Sequence, residues 1–219
     1  MVKKKILIVE GNTREENSEF TAVGINTHTE SLIESINFYE KDLDISIANP
    51  SSDNNLKNSI DSLDKYDGMI WGGSSLNIYN DTDEIRRQIS FMRECQLKIK
   101  KIFAICWGLQ VAVTVAGGQV KKSDKGAHRG IAHNIKVNNI GSNHKIYLNK
   151  KRQFNSPAFN FDEVVKIPEG AILLSSNELN NVMGLNFKTN TSDIWGIQYH
   201  PEITYEKMVS LIHFRKERL

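Results

Sequence analysis

Several features are scarce or missing in this chain of 219 residues, and each absence removes a class of function. No apolar run approaches the ~18–20 residues a bilayer-spanning helix needs, so we expect no membrane association. Basic and acidic residues nearly cancel (28 against 26, net +2), which argues against the one-signed surface of a nucleic-acid binder. The short lysine clusters at residues 3–5 and 98–101 read as solvated flanks of buried strands. Cysteine is rare: Cys95 and Cys106 are too few for a disulfide framework. The apolar stretch at residues 6–9 is too short for the core of a signal peptide. Both observations predict a reducing, cytoplasmic setting. Neither a Gly-x-x-x-x-Gly-Lys-Ser/Thr nor a Gly-x-Gly-x-x-Gly string occurs, so no nucleotide cofactor is expected. The histidines at 28, 128, 133, 144 and 213 lack metal-ligand spacing beside cysteines or paired acids, so no metal is expected either.

What remains is an alternation of short apolar runs and helical periodicity. Residues 6–9 form a continuous apolar run ended by Glu10-Gly11-Asn12, as a strand buried on both faces does. After a polar loop at 11–26, a helix is predicted over 27–39, a strand over 44–48 and a helix over 56–66. A third strand over 68–71 runs into Gly72-Gly73-Ser74-Ser75. A helix with acidic residues in its first turn follows over 83–95, then a fourth strand over 101–105. A short apolar helix over 108–116 is closed by Gly117-Gly118. From Val120 onward strands dominate (131–137, 171–174, 182–187, 194–199), and the chain closes on an amphipathic helix over 205–216. This pattern predicts one α/β domain over 1–219: an open, mostly parallel sheet with helices on both faces and a strand-rich C-terminal half.

The segment Phe103-Ala104-Ile105-Cys106-Trp107-Gly108-Leu109-Gln110 puts a cysteine between a buried strand and a helix. Open α/β folds place their sites at that edge of the sheet. A sharp turn there lifts the sulfur clear of the backbone and aims the next N–H at an incoming carbonyl oxygen. The helix N-terminus adds partial positive charge, which favours a thiolate. Ala104 and Gly108 keep the flanks of the turn small. A cysteine in such a turn can equally be a packed core residue, and Cys95, without small neighbours, is read that way.

Near the C-terminus, Gly196-Ile197-Gln198-Tyr199-His200-Pro201-Glu202 ends a strand with an imidazole and a carboxylate. Cysteine chemistry on an amide needs a base that takes the thiol proton and returns it to the leaving nitrogen. It also needs a group that fixes the tautomer of that base. Pro201 stiffens the link and biases His200 toward extended backbone.

Together these segments resemble the class I glutamine amidotransferases, whose pattern is Gly-x-Cys-x-Gly-x-Gln followed by His-x-Glu. Only the first glycine departs, being Ala104, from which a slightly tighter turn is expected. The resemblance spans the order of elements over the whole chain, and its flavodoxin-like fold is the one predicted above. It implies a catalytic triad of Cys106, His200 and Glu202, and an oxyanion hole from the N–H groups of Gly73 and Trp107. The string Gly72-Gly73-Ser74-Ser75-Leu76-Asn77 looks like the stand-alone, GMP-synthase-like branch, although the family often has proline where Ser74 stands. Gln110 matches the glutamine that contacts the substrate amino acid. Phe159-Asn160-Phe161-Asp162-Glu163-Val164 resembles a segment usually written Ser-His-Gly-Asp-Glu-Val, which assigns Asn160 and Phe161 to substrate binding.

The resemblance therefore implies hydrolysis of a γ-glutamyl amide through a Cys106 thioester. The substrate is glutamine, with ammonia passed to a separate acceptor or synthetase chain, or a larger γ-glutamyl compound in a peptidase-type reaction. A silent regulatory homologue is the alternative from another class. The loop at 11–26 is expected on the active-site edge, shaping the pocket for an acceptor, a substrate or a partner.

Overall fold

A computed structural model describes residues 3–218; Met1, Val2 and Leu219 lie outside the described residues. The first strands fall where apolar runs stand: β1 (Lys4–Val9), β2 (Leu43–Ala48), β3 (Gly68–Trp71) and β4 (Lys101–Ile105). All four pair in parallel, with Ile8 beside Ile47 and Ile70, and Trp71 beside Ala104. A strand buried on both faces sends alternate side chains to opposite sides. Leu7 and Val9 accordingly join a core with Phe91, Met92 and Leu109, while Ile8 joins a second core with Leu32 and Ile105.

The helices between them are α1 (Arg14–Ala22), α2 (His28–Tyr39), α3 (Lys57–Asp61), α4 (Asp83–Lys98) and α5 (Trp107–Val115). The C-terminal half adds β5 (Gln119–Lys122), β6 (His128–Val137), β7 (Gln153–Asn160), β8 (Asp162–Lys166), β9 (Ile172–Ser176), β10 (Gly184–Lys188), β11 (Asp193–Ile197) and α6 (Tyr205–Phe214). The main sheet runs β2-β1-β3-β4-β11-β10-β9-β6-β7, and β5 pairs with β8 in a separate ribbon. Strand β11 is the seam. It lies parallel to β4 on one side and antiparallel to β10 on the other, so the parallel and antiparallel halves form one sheet. No helix among the described residues is long and apolar enough to cross a membrane.

Three expectations need correction. The stretch 11–26 is not a loop, because α1 occupies its centre. Thr13 Oγ accepts the Glu16 N–H at 3.2 Å and Glu16 returns the contact by accepting the Thr13 N–H at 2.9 Å, a reciprocal cap. Only Phe20 of this helix is buried, so no apolar stripe marks it in the sequence. The helix expected over 56–66 breaks into α3 and a separate 3-10 turn at Leu63–Lys65, and α3 buries no residue. Strand β7 is absent from the expected elements because Pro157 interrupts its pattern; it lies at the sheet edge, where a missing N–H costs little.

Candidate active site

Because β3, β4 and β11 are adjacent, their C-terminal ends bring three loops together: Gly72-Gly73 after β3, Cys106 after β4, and the segment through Glu202 after β11. Cys106 has φ +52° and ψ −101°, a conformation L-residues rarely adopt and one that costs on the order of 1–3 kcal/mol. Its neighbours hold it there. The Cys106 N–H donates to the Ile197 carbonyl at 2.7 Å, and its own carbonyl accepts the Gln110 N–H at 3.1 Å. The Gly108 N–H donates to the Gly72 carbonyl at 3.2 Å, stitching the turn to the neighbouring loop. A Cβ at Gly108 would lie 2.4 Å from the Trp71 carbonyl oxygen, so glycine is required for that approach. Ala104 leaves the turn intact.

Sulfur, imidazole and carboxylate are all buried here. Gln198 Nε2 donates to Cys106 Sγ at 3.3 Å, a contact the sequence pattern does not single out. His200 Nδ1 lies 2.6 Å from Glu202 Oε1, and the His200 backbone N–H donates to the Pro157 carbonyl at 2.8 Å. Burial opposes a charge on His200. The Glu202 carboxylate and Cys106, both as charges and as hydrogen-bond partners, outweigh it and push the imidazole up to about 10.

A second imidazole, His28, lies against the first with ring centroids 5.4 Å apart and planes 22° from parallel. It is the first residue of α2. Burial, followed by the positive charges of His200, Lys207 and Arg215, pushes it well below its ordinary value. Its Nδ1 and Glu202 Oε2 are buried without a hydrogen-bond partner. His28, His200 and Glu202 bring donor atoms within 4.8 Å of one another, which no spacing in the sequence foretells. The stacked rings aim their in-plane lone pairs side by side rather than at a common point, and His200 Nδ1 is taken up by Glu202. Lys207 stands behind this cluster, donating to the Thr27 carbonyl at 3.0 Å and to Ser31. Burial pushes its ammonium down to about 8 against the pull of Glu202 and other acids.

Gly73 packs against both rings. A Cβ there would lie 2.8 Å from His200 Cε1 and 3.0 Å from His28 Cε1. Among the described residues, neither the Gly73 N–H nor the Trp107 N–H donates a hydrogen bond within the protein. The Trp107 indole N–H donates to Gln88 at 2.7 Å, and Gln88 in turn donates to the Gly11 carbonyl at 3.1 Å.

A cleft of about 390 Å³ opens beside Cys106. Trp107, Gln110, Asn160 and Phe161 line it, the residues that the resemblance assigns to the oxyanion hole and the substrate. Gln110 is buried and reaches Gln198 at 3.5 Å. The Asn160 side chain is taken up by His128 Nδ1 at 3.0 Å and the Asp162 carbonyl at 2.9 Å. The cleft also contains Asp162, whose carboxylate accepts the Tyr79 hydroxyl at 3.0 Å, and Arg215 from beyond the end of α6. Sequence reasoning misses both, because a lone arginine or aspartate far from a motif carries no local signal.

Comparison with known proteins identifies the family. The family model for glutamine amidotransferase class-I matches residues 25–216, which leaves α1 outside the match. A γ-glutamyl-L-1-hydroxyisopropylamide hydrolase of a Pseudomonas species is 31% identical over 93% of this chain and 69% of its own length. Gamma-glutamyl peptidase 3 of Arabidopsis thaliana is 30% identical over 68% of this chain and 60% of its own length. The glutamine-hydrolysing component of GMP synthase from Sulfolobus acidocaldarius is 27% identical over 67% of this chain and 73% of its own length. A solved glutamine amidotransferase of Thermotoga maritima superposes with a TM-score of 0.74 at 18% identity, covering all of this chain and 85% of that one. On the family match and these relatives, the chain belongs to the class-I glutamine amidotransferases.

Proposed function

We propose that this protein hydrolyses γ-glutamyl amides with Cys106 as nucleophile, His200 as acid–base and Glu202 as its orienting carboxylate. The observation that carries the reading is the strained Cys106 turn beside a buried His200–Glu202 pair, since such strain persists only where neighbours impose it. In the first half-reaction the thiol proton passes to His200 and sulfur bonds to the γ-carbonyl carbon. The carbonyl electrons move onto oxygen, where the Gly73 and Trp107 N–H groups receive the charge. As the C–N bond breaks, His200 returns the proton to the departing nitrogen. Water then attacks the thioester, giving its proton to His200, and glutamate leaves as the C–S bond breaks. A histidine held up to about 10 keeps the proton away from sulfur until the nitrogen needs it. Trp107, Gln110 and Phe161 wall the cleft for the glutamyl chain, and Asp162 offers a negative side to an ammonium group.

Two leaving groups fit this chemistry. Ammonia would make the protein a glutaminase feeding a separate acceptor or synthetase chain. A larger amine would make it a γ-glutamyl peptidase or amide hydrolase. The second is favoured by one observation: the hydroxyisopropylamide hydrolase aligns over 93% of the chain, whereas the GMP synthase component aligns over 67%. Purified protein should release product from glutamine or from a γ-glutamyl peptide, and Cys106→Ala should lower that rate on the order of 10⁵-fold. Peptide cleavage without ammonia release from glutamine would decide for the larger substrate. Turnover of neither, with Cys106 unreactive toward an electrophilic glutamine analogue, would leave a silent homologue.

A further inference from the structure

Arg215 is set into the cleft by three contacts. Its guanidinium lies 5.1 Å from the ring centre of Phe20 and 5.4 Å from that of Phe159, between α1 and β7. It also donates to Ser75, just beyond the Gly72-Gly73 loop. Its backbone N–H donates to the Leu211 carbonyl at 2.9 Å, which fixes where the side chain starts. The residue is only 8% exposed, yet it lines the same cleft as Cys106 and Gln110, and is the one cation among the described residues doing so.

A guanidinium held between aromatic faces loses little further freedom when it binds, and its planar fork matches a carboxylate. Electrostatics give the cleft a direction. A neighbouring hollow on the other side of Arg215 is lined by Glu16, Glu19 and Glu217, which repel an anion. The Cys106 side, walled by Trp107 and Phe161, is where an incoming carboxylate meets the positive charge. We propose that Arg215 is the residue that recognises the carboxylate of the substrate, selecting γ-glutamyl compounds with a free carboxylate over their amidated counterparts. The inference rests on the γ-glutamyl reading above and narrows its substrate class. That carboxylate belongs either to the glutamyl half or to an amino acid on the leaving side, and the two are separable.

The test measures binding by calorimetry in the Cys106→Ala protein, where no turnover intervenes. Four ligands are compared: glutamine and glutaminamide, γ-glutamylglycine and γ-glutamylglycinamide. One carboxylate form should bind at least roughly tenfold more tightly than its amide, the worth of one charge-assisted contact. Adding Arg215→Met should abolish that preference, and Arg215→Lys should keep part of it. Loss of the glutamine preference assigns the glutamyl carboxylate; loss of the dipeptide preference assigns the leaving side. Equal weakening of all four ligands would make Arg215 a structural tether and overturn the proposal, as would a preference that survives Arg215→Met. Absence of measurable binding by any of the four also overturns it. If Arg215→Met fails to fold, judged by its thermal transition, Arg215→Lys decides alone: an unchanged preference counts against the proposal. Failure of hydrolysis by the wild type, with an Arg215-dependent preference intact, would sink the catalytic reading and leave this one standing.

Discussion

The cleft beside Cys106 has a floor of strand ends and a roof of helices, and the two hold their residues by different means. On the floor, Cys106, Gly73 and His200 follow directly from β4, β3 and β11, which are neighbours in one sheet. Backbone hydrogen bonds such as Cys106 N–H to Ile197 and Gly108 N–H to Gly72 fix them, so side chains have little freedom to choose. The roof is assembled from α1, the start of α2 and the end of α6, where Phe20, Ile203, Met208 and Leu211 make a small core of their own. Side-chain packing, not a ladder, positions His28 and Arg215 there. The family model matches all of the floor and begins only after α1. On the proposed reading, chemistry belongs to the matched floor, and discrimination between substrates belongs to a roof that α1 completes from outside the match.

The harshest way to break that division is to disturb the floor by one methyl group. Gly73→Ala would place a Cβ 2.8 Å from His200 Cε1, closer than any side chain tolerates, so the loop or the ring must shift. Loss of one oxyanion donor costs on the order of 10²–10³ in kcat. The expected outcome is a fall of that size in kcat with KM changed far less, read by steady-state hydrolysis. A variant that loses affinity and keeps kcat would show that Gly73 belongs to recognition, and the division would fail.

The same contrast explains what can be read in the sequence. The floor is legible because each of its residues ends an apolar run: Cys106 after residues 101–105, Gly72-Gly73 after 68–71, His200 after 194–199. The spacing Cys106-x-Gly108-x-Gln110 is local, and the strand–turn–helix that gives it meaning is local too. The roof is illegible because its contacts are distant in sequence. Phe20 meets Arg215 and Phe214 from the far end of the chain. His28 meets His200 only because α2 starts over the end of β11. One local signal does exist there: Thr13 and Glu16 have capping-box spacing, which marks α1 without any apolar stripe.

A milder substitution tests the roof. Phe20→Leu keeps the α1 contact with the small core but removes an aromatic face from Arg215 and an edge from His28. A cation–π contact in a partly desolvated site is worth about 1 kcal/mol, a factor of roughly five in affinity. KM for the preferred substrate should rise severalfold while kcat holds. An equal fall in kcat would mean that α1 supports the floor as well, and roof and floor would be one unit.

The smallest expected effect concerns the one place where roof and floor touch face to face, the stacked imidazoles. His28 is pushed well below its ordinary value by burial and then by the charges of His200, Lys207 and Arg215, while His200 is pushed up to about 10. A base depressed in the folded state gives stability that is complete above its unfolded value of about 6.5. Below that pH the unfolded chain binds a proton the folded one refuses, and stability falls as pH falls. One such group contributes at most about 1.4 kcal/mol per pH unit. Replacing it by the unprotonatable His28→Gln should therefore flatten the acid limb, narrowing the loss between pH 6.5 and 5.5 by about 1 kcal/mol in urea unfolding. Equal slopes in the two proteins would mean that His28 takes up its proton inside the fold. The roof would then carry a second imidazolium against His200, and the electrostatic contrast between the two rings would not exist.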